Sequence, residues 1–396
     1  MNRVDLLNPE MLHNTYSFFE DLRRNAPVCQ VDPGGLWAIT RYEDVLWALN
    51  TPSIFSSQLL YGILMEPPWL GYSPFCHSML GLDPPRHTQL RGLVNRAFSP
   101  AAMAKLEPFI RKLAEGFTDD LLRGDTADYM SVFAVPFVSA VIGHITGLDP
   151  SLHAHFKGWT DCLSTITSVA PDDIVSQERI RRSLKEMENY VRDLVESRRR
   201  QPKSDVCSEL IQTRVDGQSL SDEELVSFVI LLLAAGVETT ASMLGSSALW
   251  LTDHPDLYEQ VRSSPNLIVP FVEESMRWFH PTVGLFRGTT QEVEVRGVRI
   301  PAGAPVFLVL GSATMDEQYV PEPQKFRLDR PLQSLPLGYG VHFCLGAFLG
   351  RLEQRIALEV LLPRVRSMSR TPGPAPWKPS MNMRGLARLD LTLARA

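Results

Sequence analysis

Twelve residues near the C-terminal end, Leu335-Pro-Leu-Gly338-Tyr-Gly340-Val-His342-Phe-Cys344-Leu-Gly346, hold three glycines, one histidine and one cysteine directly before a helical run. A thiol at a helix N-terminus meets free N–H groups and partial positive charge, which favour thiolate, and a thiolate wants a metal or an electrophile. Gly338 and Gly340 open backbone conformations closed to other residues, and Gly346 leaves room for a planar ligand against the first helical turn. A structural cysteine buried after a hairpin is the plain alternative.

Three further groups carry possible chemistry. In Leu231-Leu-Leu-Ala234-Ala235-Gly236-Val-Glu238-Thr239-Thr240 a carboxylate and two hydroxyls sit in an apolar run. Burying them costs several kcal/mol unless they find partners, so such a cluster either satisfies itself on the backbone or does work. Glu274 and Arg277 stand three apart, share a helix face and can pair; alone they would be a surface pair of little weight. His87 and Arg91, in Asp83-Pro-Pro-Arg86-His87-Thr-Gln-Leu-Arg91, project from one face and could grip carboxylates together, although a solvated pair is the default.

The elements that must position these residues are mostly helical from Tyr16 to about Pro281. Apolar residues recur at helical spacing in Leu106, Ile110, Leu113 and Phe117, and in Met187, Tyr190, Val191 and Leu194. The run Arg198-Arg199-Arg200 reads as a solvated helix end complementing the dipole. A long helix is predicted from about Asp222 to Thr252, with Ser221 and Glu224 forming a capping box, and a last helix from about Leu345 to Leu362. After Pro281, Val293, Val295, Val298 and Ile300 flank Arg296-Gly297, and Val306 to Leu310 follows Pro-Ala-Gly, a pattern of short strands and tight turns. Leu389, Leu391 and Leu393 alternate as a final strand. No Gly/Ser linker or repeat interrupts the chain, so one mainly-α domain over 1–396 with small appended sheets is expected.

Composition narrows the function classes. Of the 396 residues 44% are hydrophobic and 21% charged, and 39 Lys and Arg against 45 Asp and Glu leave a net charge of −6, which offers no field to hold nucleic acid. The five cysteines, at 29, 76, 162, 207 and 344, form no Cys-x-x-Cys zinc pattern, and an odd, scattered set argues against a secreted disulfide framework. Charges from the first residues onward argue against a signal peptide. The longest apolar run, Phe228 to Val237, falls short of the roughly 20 residues of a membrane span, so a cytoplasmic location without membrane attachment is expected.

The run from Leu337 to Glu353 resembles the haem-binding signature of the cytochrome P450 family, Phe-Gly-x-Gly-x-His-x-Cys-x-Gly, with Leu337 in place of the usual phenylalanine and Gly350 in place of a usual alanine. Ala235-Gly-Val-Glu238-Thr239 resembles the family's acid–alcohol stretch, and Glu274-x-x-Arg277, about 70 residues before Cys344, fits its Glu-x-x-Arg. The resemblance implies a triangular, mainly helical P450 fold with haem b (iron protoporphyrin IX) between the Asp222–Thr252 helix and the Cys344 loop. Cys344 would be the iron ligand, flanked by Leu337, Gly338 and Gly346. Ala235 and Gly236 would leave room beside the iron, Thr239 would hydrogen-bond the oxygen, and Glu238 would relay protons. His87, Arg91, Arg287 and His342 would contact the haem propionates, with Arg86 where glutamate is common. Glu274, Arg277 and Arg330 would lock the fold behind the haem, with Leu328 for a common proline.

The implied activity is hydroxylation, or another oxidation, of a small apolar substrate, such as a terpenoid, steroid or fatty-acid-like molecule, using dioxygen and two electrons. The substrate pocket would draw on Ile230, Leu231, Ala234, Val283, Leu285 and Phe286, with the loop before Asp83, the segment Asp161 to Val169 and the turn Met383 to Leu386. With no flavin domain in the chain, electrons would come from a ferredoxin or flavodoxin with its reductase, docking near Arg96, Arg351 and Arg355 on a monomeric enzyme. A peroxide-driven peroxygenase, a non-oxygenating isomerase or dehydratase, and a haem sensor or carrier are the rivals, all disfavoured by the Glu238-Thr239 pair.

Overall fold

A computed structural model describes the chain apart from residues 1–3, 7, 9–14, 33, 60–68, 72–74, 76, 150–154, 156–157, 160–161, 163–165, 167–168, 170–171, 332–334 and 379. Its main helices are α1 (Thr15–Asn25), α2 (Tyr42–Asn50), α3 (Arg86–Asn95), α4 (Glu107–Leu121), α5 (Val135–Thr146), α6 (Ile174–Arg200), α7 (Val206–Gln212), α8 (Asp222–Asp253), α9 (Pro255–Ser263), α10 (Ile268–Phe279) and α11 (Ala347–Leu361). At 32 residues α8 is about 48 Å long. It runs through the largest core cluster, packed against α5, α6, α10 and α11.

Local sequence explains where α8 starts. Ser221 Oγ accepts from Glu224 N at 3.2 Å while the Glu224 carboxylate accepts from Ser221 N at 2.9 Å, so two otherwise orphaned donors are satisfied. By length and composition α8 could cross a bilayer, yet 67% of its apolar window is buried inside this fold, as a core helix requires. The final helix starts two residues later than expected, at Ala347.

The strands are β1 (Val4–Asp5), β2 (Val28–Asp32), β3 (Leu36–Ile39), β4 (Phe55–Ser56), β5 (Thr126–Asp128), β6 (Leu285–Thr289), β7 (Val293–Val295), β8 (Val298–Ile300), β9 (Pro305–Leu308), β10 (Val365–Arg370) and β11 (Asp390–Arg395). They form a six-stranded sheet in the order β1-β2-β3-β9-β6-β4, a three-stranded sheet β10-β11-β5, and the pair β7-β8. Arg296 and Gly297, both at positive φ, make the two-residue turn expected between β7 and β8. Strands β2 to β5 fall within the stretch read as mostly helical. They have two to five residues each, too few for a periodicity to register, and are held by partners far along the chain such as Trp37↔Val306 and Phe55↔Thr289.

One reading of charge is overturned. The end of α6 is not simply solvated: Arg198 is buried, donating to Asp205 Oδ2 at 2.5 Å and to the Gly147 carbonyl at 2.6 Å. Those acceptors need a cation at the junction of α5, α6 and α7.

Candidate active site

The cysteine loop is closed by its own backbone. Cys344 N donates to Leu337 O at 2.9 Å, Gly338 N to Leu335 O at 2.9 Å, and Phe343 N to Gly340 O at 3.1 Å. Gly340 lies at φ +68, and a Cβ there would stand 2.8 Å from Leu49 O, so the loop can lie against α2 only with glycine. Around a Cβ placed on Gly346 no atom lies within 4 Å, which is the open space a planar ligand needs.

The thiol itself departs from expectation. Burial pushes the Cys344 thiol up, outweighing the Gly346 backbone donor and the charges of Arg91 and Arg351. The reason is position: α11 begins at Ala347 with Gly346 at its cap, so the sulfur stands before the first helical turn and receives little of the dipole. A cation bonded directly to sulfur is what would hold it as thiolate here. No cluster of three or more His, Cys, Asp or Glu side chains suited to a bare ion occurs among the described residues. A metal at Cys344 must therefore bring most of its own ligands.

Beside the loop, the α3 residues and the loop histidine converge. The rings of His87 and His342 have centroids 4.1 Å apart, and Arg91 Nη2 donates to Phe343 O at 2.8 Å. Arg287, on β6, is buried, and desolvation pushes its guanidinium down to about 10. Burial, then Arg91 and Arg287, push His87 down to about 4, against the pull of Asp83; burial and the same neighbours lower His342 further. Both ring nitrogens of His87 are buried without a hydrogen-bond partner. An unpartnered buried imidazole beside a second imidazole and two guanidiniums is an incomplete site, and a ligand with two carboxylates would complete it. Haem fits the set: carboxylates here, a flat body over Gly346, and iron at Cys344. Sequence reading missed Asp83 and Ser57. Asp83 accepts from Ser57 N at 2.9 Å and from Ser56 Oγ, while Ser57 Oγ lies 3.1 Å from His342 Nε2.

On α8 the exposure pattern picks out one face. Ala235 is exposed in mid-helix, and Leu232, Gly236 and Thr239 are partly exposed, between residues that are buried. These positions share a stripe of the helix, and it faces open space. The Thr239 hydroxyl donates to Ala235 O at 2.7 Å, so what it offers to that space is acceptor lone pairs. Gly236 does not provide the room expected beside the iron. A Cβ there would meet Ile142 Cδ1 at 2.6 Å, so its missing side chain serves the packing of α8 on α5. Glu238 is buried on another side of the helix and accepts from Lys378 Nζ at 2.9 and 3.1 Å, a partner the sequence did not disclose. Helices α8 and α11 approach at Thr240, whose Oγ1 would stand 3.7 Å from a Cβ on Gly350. That is ordinary contact, and the usual alanine would fit.

The pocket candidates divide. Leu285 and Phe286 are partly exposed and Ala234 is half-buried, whereas Ile230 is fully buried in the main core, Leu231 is 8% exposed, and Val283 packs with Phe307 and Met381. Ile230 points at neighbouring helices, because the open stripe begins one helical step later at Leu232. Much of 161–169, most of the loop before Asp83, and Cys76 lie outside the described residues.

Glu274, Arg277 and Arg330 come together as expected, and the first two are no surface pair. Both are buried, joined by hydrogen bonds of 2.6 and 2.7 Å, and Arg330 Nε reaches the same carboxylate at 3.2 Å. Arg277 and Arg330 also donate to the carbonyls of Pro321, Glu322, Pro323 and Lys325, so the triad ties α10 to that loop. The proposed docking arginines differ from expectation. Arg351 makes a two-pronged pair with Glu273 at 2.5 and 3.0 Å, and Arg355 pairs with Glu107 and Glu359. Among the described residues Arg96 alone of the three has no ion pair.

Comparison with known proteins gives one consistent result. The family model for cytochrome P450 matches residues 13–386. Erythromycin C-12 hydroxylase of Saccharopolyspora erythraea is 35% identical over 346 residues, covering 87% of this chain and 85% of that protein. The solved structure of cytochrome P450 CYP109Q5 from Chondromyces apiculatus superposes with a TM-score of 0.91 at 36% identity, over 100% of this chain and 99% of that one. CYP109E1 from Bacillus megaterium, solved with testosterone, superposes with a TM-score of 0.88 at 30% identity, over 97% and 98%.

Proposed function

The chain belongs to the cytochrome P450 family and is a haem-dependent monooxygenase; from that premise we propose that it carries haem b in one domain over 1–396 and hydroxylates an apolar molecule of steroid, terpenoid or fatty-acid-like class. The observation that carries the cofactor reading is buried His87, whose ring nitrogens have no partner, beside buried Arg287 and half-buried His342 and Arg91, the last bonded to Phe343 O one residue from Cys344.

When bound, haem supplies the iron at which dioxygen is activated by two electrons and two protons. Cys344 would bind that iron, while Arg91 and Arg287 would neutralise the propionates and His87 and His342 would hydrogen-bond them. The lone pairs of Thr239 would hold a proton donor in the open space along α8, and Glu238 would exchange protons with solvent. Leu232, Ala235, Leu285 and Phe286 are apolar and at least partly exposed, and none of residues 282 to 286 is charged. The erythromycin hydroxylase and the testosterone-bound neighbour support a bulky apolar substrate. A ferredoxin or flavodoxin with its reductase would deliver electrons near Arg96 to a monomeric cytoplasmic enzyme.

The test begins with carbon monoxide on the dithionite-reduced protein, which should give the red-shifted Soret band of thiolate ligation; its absence would refute the site. Compounds that shift the ferric haem from low to high spin identify the substrate class. Product formed with reduced ferredoxin and oxygen, and not with peroxide alone, supports the monooxygenase over a peroxygenase.

A further inference from the structure

Glu238 is the one site residue whose charge is answered from outside the site. It is 8% exposed, and both its oxygens accept from Lys378 Nζ, at 2.9 and 3.1 Å. No other cation pairs with it among the described residues. Neighbouring residues of a helix point about 100° apart, so while Thr239 faces the open space, Glu238 is held toward the C-terminal turn.

That turn is built to keep Lys378 in place. It is closed by Lys378 N donating to Gly385 O at 2.9 Å and Ala387 N to Pro376 O at 2.8 Å. Gly385 lies against α8: a Cβ there would stand 2.2 Å from Ser242 Oγ and 3.3 Å from Glu238 Oε1. The other cation of the turn, Arg384, is directed elsewhere, donating to Thr15 Oγ1 at 2.7 Å and stacking on Trp377 at 3.9 Å. The same turn is pinned to the segment before β6, since Val283 N donates to Asn382 O at 2.8 Å and Arg384 N to Pro281 O at 2.9 Å.

We infer that Lys378 is a positioning residue for proton delivery, holding Glu238 turned away from Thr239 and tying it to the C-terminal turn. The inference rests on the monooxygenase reading for its meaning in turnover, although the pair itself can be tested in the resting protein. A buried carboxylate deprived of its cation takes up a proton, because burial penalises the charged form. With Lys378 present, Glu238 is held on the ammonium and must leave it to serve Thr239.

The experiment compares infrared spectra of the resting ferric holoenzyme at neutral pH. Lys378→Met should add a buried neutral carboxyl band beyond that of buried Glu353 in the parent, and the added band should be lost in the Lys378→Met/Glu238→Gln double variant. If Lys378→Met does not accumulate, Lys378→Gln, which keeps a donor without the charge, should show the same band. Lys378→Arg should restore the parent spectrum. Product per electron pair should fall roughly threefold or more in the uncharged variants and recover with arginine, a smaller loss than the roughly 10²–10⁴-fold of removing an acid–base group outright. Absence of the band from both uncharged variants, or its presence in Lys378→Arg, would overturn the inference. The carbon monoxide band reports separately: its absence from the parent would refute the haem-thiolate reading while leaving the infrared result on the pair intact.

Discussion

At the scale of single residues, partner choice decides what each group can do. Thr239 spends its proton on Ala235 O and faces the open stripe with lone pairs, whereas Glu238 spends both oxygens on Lys378. Neither bond follows from residue type, since a threonine in a helix bonds its own backbone often and a buried glutamate accepts any nearby cation. The Thr239 role predicts that Thr239→Ala leaves haem content and the resting spectrum unchanged while electrons are diverted from product into hydrogen peroxide. Measuring peroxide against product per electron pair checks it, and unchanged coupling would remove Thr239 from proton delivery. Cys344 teaches the converse lesson. Its type and motif mark it as the proposed metal ligand, but the dipole argument for a ready thiolate gives way to burial, because the helix begins at Ala347, two residues later than expected.

At the scale of elements, glycines mark where backbones meet, and what they meet cannot be read from sequence. Gly236 stands in the polar stretch of α8 and looks like space for a ligand, yet its missing Cβ is answered by Ile142 of α5. Gly236→Ala should therefore destabilise the protein by about 1–3 kcal/mol through overpacking. Combining it with Ile142→Val should recover part of that loss, because Cδ1 is the atom in the way. Chemical denaturation of the two single variants and the double closes the cycle, and strict additivity would show that the two positions do not touch. Helix α8 as a whole was legible because it has an apolar body, a capping box and a polar break. The short strands β2 to β5 were not, since each has too few residues of its own and β3, β4 and β5 pair with strands far along the chain.

At the scale of the whole molecule, several histidines are buried in a neutral form. His280, at the end of α10 with φ +44, is fully enclosed, and its Nε2 meets Thr314 Oγ1. Burial, then the charges of Arg277 and Arg384, push it down to about 3. Unfolding lets it take up a proton at the ordinary value of about 6.5. The unfolded chain thus binds more protons between pH 6.5 and about 3, so this contribution is full above 6.5 and is lost as pH falls through that window. It amounts to at most about 1.4 kcal/mol per pH unit. The urea midpoint of the holoenzyme should drop from pH 6.5 to 4, and the drop should be smaller in His280→Asn; an equal drop in that variant would exclude His280 as a source.

Charge at this scale also separates what can be summed from what must be seen. The net charge of −6 could be counted, but not that Arg351 and Arg355 are already answered by Glu273, Glu107 and Glu359. By itself the sequence determined the mainly helical architecture, the long central helix, the cysteine loop and the family, because contiguous motifs and helical periodicity are local and survive without coordinates. Only the tertiary structure decided that Glu274 and Arg277 are buried, that His87 lacks partners, that Ile230 turns into the core, and that Lys378 holds Glu238. Each depends on segments far apart in the chain, and burial and pairing belong to no residue alone.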